Sequence, residues 1–275
     1  MSLDVAARLA EGRVAVADTQ AYVDACRAVG YQNADLTARG GQVDEWYATE
    51  DGLDLTALDT DCAALRAAAG AAEEALRIER AGAAAVASAW SGDSGSAAGE
   101  FVERHCSAGA VLADAMRSAA EACTALRDKL WGLVDGKVGT VTAIENRHAG
   151  ERAAWLAAAH SVTTGVDDRA AVEIVRQQIM PYVDGDIRAE WVAAMRSVTA
   201  AVDAAYDDAA QALNAHRAVD FPIPARLGPA IAPPPPAAPA APVQQARPAI
   251  TMPAAASAPA VPSTPEPPGA PAVPE

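Results

Sequence analysis

Residues 86–101 read VASAWSGDSGSAAGEF, and they sit where two long Ala-rich segments meet. Gly92 and Gly95 permit positive φ, and Asp93, Ser94 and Ser96 are good helix N-caps, so the chain can reverse here. Before the break, from near Leu55 to Trp90, an apolar stripe of Leu58, Cys62, Leu65, Ala69, Ala72 and Leu76 alternates spacings of four and three. After it, from about Ser96 to Val134, the same alternation runs through Val102, His105, Gly109, Leu112, Met116, Ala119, Cys123, Leu126, Leu130 and Leu133. Such stripes are the a/d seam of helices packed at a shallow angle, and they predict an antiparallel hairpin over 55–134. Folding about Trp90 brings Cys62 and Cys123 to the same height on facing helices. The pair reads first as two small core residues, and second as a thiol pair that an oxidising space could close into a disulfide.

Working outward, a first helix is expected from about Leu3 to Val29, ended by Gly30 as its cap. Residues 31–54 hold Gly40, Gly41 and Gly52 and read as a connector with one short helix. Beyond Val134 a helix is expected over about Val141 to Val162, then a break at Thr163 to Asp168. A further helix starts at "DDRAAVEIVRQQIM", where acids suit the N-terminus. Pro181 and Gly185 are expected to interrupt it, before a last helix from about Ile187 to Val219. Five or six helices and no strand make the fold all-α, an elongated helical bundle over 1–220. Of 19 prolines, all but Pro181 lie at or after Pro222, so 221–275 reads as a disordered Pro/Ala-rich tail with polyproline II bias.

Charge narrows the function. The tail's Arg226, Arg247, Glu266 and Glu275 cancel, so the net charge of −15 belongs to the helical body. An acidic body argues against nucleic acid and anionic membrane surfaces, which need clustered Lys and Arg. The first 20 residues carry charges every few positions, unlike a Sec signal, and no apolar run approaches a spanning helix. The default expectation is a cytoplasmic protein, unless export takes a folded, signal-less route. The four cysteines form no CxxC pair, and the neighbours His105 and Cys106 point about 100° apart, a poor chelating geometry. No GxSxG, HExxH, Walker or GxGxxG pattern occurs, and Glu145, His148 and Glu151 read as a solvated face. No catalytic, cofactor or metal residue is expected, nor any cofactor.

Two amphipathic helices joined by Trp90, Ser91 and Gly92 resemble the WXG and PPE-like (Esp-type) substrates of actinobacterial type VII (ESX) secretion systems. The resemblance implies that the Trp packs at the tip of a hairpin and that the turn is one half of an export signal. The other half would be a Tyr-x-x-x-Asp/Glu motif near it. Three pairs match that pattern: Tyr31 with Asp35, Tyr47 with Asp51, and Tyr182 with Asp186. Tyr182 abuts predicted helix, whereas Tyr47 precedes the hairpin, as in fused members of the family. No tyrosine stands near Val134, where short members carry theirs. The resemblance implies a secreted or cell-surface protein that binds a type VII secretion ATPase or a co-secreted helical partner, or copies of itself. The competing expectation is a cytoplasmic scaffolding bundle.

Overall fold

The computed structural model describes residues 3–224; the expected tail lies outside the described residues from 225 onward. Among the described residues there is no strand, and the fold is an all-α bundle. Helix α1 spans Val5–Ala28. The side chain of Asp4 caps its start by accepting from the Ala7 amide. Gly30, at φ 102°, ends it, with the amides of Gly30 and Tyr31 donating to the Arg27 and Cys26 carbonyls. That is the two-bond glycine cap expected of the sequence. The connector holds α2 (Gln42–Tyr47) and a 3₁₀ turn, Ala48–Glu50.

The hairpin consists of α3 (Leu55–Ala89) and α4 (Asp93–Asn146). Helix α4 does not stop near Val134; it continues unbroken to Asn146, and the break falls instead at 147–151, before α5 (Arg152–Thr163). Gly136 and Gly139 each cost about 1 kcal/mol in a helix interior. Val134, Val138, Val141 and Ile144 recur at spacings of four and three and are all buried, each worth about 1.5–3 kcal/mol. Burial wins, so the helix persists.

Pro181 and Gly185 do not interrupt the chain either. From α6 (Arg169–Ile174) the helix runs through a π-helical stretch, Val175–Ile179, a turn α7 (Met180–Tyr182) and a second π stretch, Val183–Trp191, into α8 (Val192–Asn214). The cause is a repeat of four. Val175, Ile179, Val183, Ile187, Trp191 and Met195 are all wholly buried. On an α-helix, steps of four rotate a stripe by about 40° each. Underwinding towards π geometry keeps all six facing one core, and the widened turn also relieves the clash of the Pro181 ring with the preceding turn.

The core sits at one end. The last third of α4, the start of α3, α1, α5 and the π-containing helix share a single cluster. Towards Trp90 the hairpin seam narrows to Cys62, Ala69 and Leu76 on α3 and Cys106, Ala113 and Ala120 on α4. Both sets repeat every seven residues, the period of a left-handed antiparallel seam. Just before the described residues end, Phe221 packs its ring 4.9 Å from that of His105 on α4.

Candidate functional site

The turn between α3 and α4 is built around Trp90. Its backbone leaves the helix in an extended conformation, φ −126° and ψ 115°, while its amide still donates to the Val86 carbonyl. Gly92 follows at φ 89°, ψ 179°, a region essentially restricted to glycine. Gly92 is the N-cap of α4, with no side-chain cap; Asp93 is instead the first helical residue, where its charge suits the helix dipole. Gly95 has a separate purpose. A Cβ there would lie 2.6 Å from the Trp90 carbonyl oxygen and 3.3 Å from the indole Cδ1, so only glycine lets the first turn of α4 close on Trp90.

The indole is consequently held but not hidden: Trp90 is 48 % exposed, and Val86, one turn earlier, is 43 % exposed. Residues 81–99 around it contain a single ionisable group, Asp93. In a chain of net charge −15 this tip is a nearly uncharged, partly apolar surface. It can bind by burying Trp90 and Val86 against a partner, the kind of anchor that dominates interfaces.

The three Tyr-x-x-x-Asp pairs all lie at the opposite end, by the core. Helix α3 alone separates the connector from Trp90 by about 50 Å, and α4 extends for about 80 Å, at 1.5 Å per residue. A compact patch of Trp90 with a Tyr and a carboxylate, expected from the sequence, is therefore not assembled within this chain. Each pair is instead taken up by the packing. The Tyr31 hydroxyl donates to Asp184 at 2.9 Å, and Asp35 accepts from Arg196. The wholly buried Tyr47 donates to the Leu9 carbonyl at 2.9 Å, while Arg13 donates to both Asp51 oxygens. Tyr182 is buried between Trp155, His148 and Tyr22, and Asp186 accepts from Arg147 at 2.6 Å. All three acids are thus neutralised by an arginine from another element. Burial pushes the Tyr47 phenol up to about 12 and raises that of Tyr182 further.

The remaining sequence candidates also have structural roles. Cys62 and Cys123 meet across the seam with Cα atoms 5.6 Å apart and are joined as a disulfide, rather than packed as free thiols. His105 faces Glu79 at 3.3 Å while Cys106 is buried on the seam, so the two diverge. Glu145 pairs with Arg152 at 3.2 Å, and His148 stacks on Trp155 rather than lying on a solvated face. Among the described residues no group of three or more His, Cys, Asp or Glu is placed to hold a metal, and no helix is long and apolar enough to cross a membrane.

Sequence reasoning missed Lys137. It is wholly buried, and its ammonium donates to the carbonyls of Trp46 and Tyr47, to Thr49 Oγ1 and to the Glu50 carboxylate. Its Nζ also lies 5.2 Å from the centre of the Tyr47 ring. The one available signal was its position, three residues after Val134 and four before Val141, on the buried face of α4. Compared with known proteins, the chain matches no family model, no curated protein and no solved structure.

Proposed function

We propose that this protein is a non-enzymatic, type VII secretion-associated protein that leaves the cell and works by protein–protein binding through the Trp90 turn. The observation that carries this is the tip itself: an indole fixed by Gly92 and Gly95, half exposed, on the one long stretch of the body nearly free of charge. A side chain needed only to fill a core would be buried like Trp155 or Trp191. The binding partner is the secretion ATPase or a co-secreted helical protein. Because Tyr31, Tyr47 and Tyr182 are engaged far from the turn, a partner would have to bring the second half of a two-part export signal. Pull-down of the full chain with the ATPase and with helical proteins encoded beside it tests this. Retention should fall at least tenfold for Trp90→Ala and persist for Tyr182→Phe; equal retention of the native chain and Trp90→Ala would contradict it.

The engagement of all three Tyr/Asp pairs in packing favours one second reading, a scaffolding bundle that stays in the cytoplasm. On that reading Trp90→Ala would abolish binding to a partner without moving the protein.

A further inference from the structure

The hairpin changes character at Cys62 and Cys123. On the core side its seam joins Leu55, Leu130, Val134 and Val138 to the main cluster. On the turn side the buried residues are small, with Leu76 the largest, and between 77 and 105 no side chain is buried. Apolar grip scales with the area removed from water, so it weakens steadily towards Trp90. The other ties on that side are partly exposed polar pairs, the ion pair of Glu73 with Arg117 and the contact of Glu79 with His105, which hold weakly, and the ring contact of Phe221. The disulfide is the last strong link before this section and closes a loop that contains all of it.

We propose that the Cys62–Cys123 bond is a reversible redox clamp on the distal hairpin. Oxidised, the arms are tied and the Trp90 turn is ordered; reduced, residues 77–105 open locally while the core stays folded. The partner in the reaction is a small-molecule thiol and its disulfide. Cys62 is wholly buried and Cys123 only partly, so the attacking thiolate reaches the Cys123 sulfur. The Cys62 sulfur leaves as thiolate, and a mixed disulfide forms at Cys123. A second small thiolate attacks the outer sulfur of that bond, releasing Cys123 and a small-molecule disulfide. Two electrons pass from two small thiols to the protein, and the reverse sequence closes the clamp with return of two thiols. The inference concerns the order of the turn and holds whether or not the protein is exported.

Hydrogen exchange read by mass spectrometry on the full chain, with and without dithiothreitol, tests it. Amides of 77–105 should exchange at least tenfold faster after reduction, while those of α1 and of 183–195 keep their protection. Cys62→Ala/Cys123→Ala should match the reduced protein and ignore the reductant. Because the two free thiols are buried, alkylation of the oxidised protein after denaturation without reductant should label Cys26 and Cys106 only. Identical exchange in both states, loosening spread evenly through α1 and α8, or free thiols at Cys62 and Cys123 under oxidised glutathione would each overturn the proposal. Should the double variant fail to fold, the comparison of the native chain with and without reductant decides alone.

Discussion

Lys137 is the residue on which the connector depends. Its ammonium collects two carbonyls that end α2, one hydroxyl and the buried Glu50 carboxylate, fixing 46–50 against α4. Desolvation pulls its pKa below that of an ordinary lysine, and the Glu50 charge opposes the shift. Removing one member of such a pair leaves the other buried and uncompensated, at about 3–5 kcal/mol, whereas replacing both by apolar groups is often neutral. Urea unfolding should therefore show Lys137→Met strongly destabilised and Lys137→Met/Glu50→Leu largely restored. Gly92 makes a contrasting case. Alanine at its φ and ψ is strained by about 1–3 kcal/mol. Because the turn lies outside the core, Gly92→Ala should speed amide exchange around 90–96 and move the urea midpoint far less than Lys137→Met. A lysine between Gly136 and Val138 carries no sign of burial in itself, which is why its role is hidden until α2, the 3₁₀ turn and α4 are assembled.

At the scale of elements, local chemistry was legible where it is self-contained. The hairpin, the Gly30 cap and the short helix of the connector follow from turn glycines and from spacings of three and four. The mistaken break at Val134 and the mistaken stop at Pro181 share one physical reason. In both places glycine or proline argues for an end, and a buried stripe outweighs it. The repeat of four from Val175 to Met195 was present in the sequence, but it fits neither the helical nor the strand period and was read as two helices. The uneven core yields a paired prediction. Ile187→Ala removes wholly buried volume and should lower global stability by about 2–5 kcal/mol in chemical denaturation. Leu76→Ala, on the thin distal seam, should lower it by less, because its small neighbours Ala69, Cys106 and Ala113 leave it less apolar packing to lose. Equal losses would mean that the hairpin and the core unfold as one unit.

Across residues 3–224, order and charge gather at the same end: the core end holds the aromatic network and most of the ionic one, and the stretch around Trp90 has little of either. Alkaline titration should expose the first of these. Burial raises the phenols of Tyr22, Tyr31 and Tyr47 to about 12. In the unfolded chain they ionise near 10. Between about pH 10 and 12 the folded protein keeps protons that the unfolded chain has lost, so stability present below 10 falls as pH rises through that window. Absorbance at 295 nm followed with circular dichroism should show these phenols ionising only as helix content is lost. The turn end carries the functional claim. It is tested most directly by locating the protein in its native host, in cell pellet and culture filtrate, with and without the type VII ATPase and with a cytosolic lysis marker. Native protein should be found in the filtrate, lost when the ATPase is absent and lost equally for Trp90→Ala. Protein confined to the pellet in every strain would contradict it, and would leave Trp90 as the docking residue of a cytoplasmic scaffold.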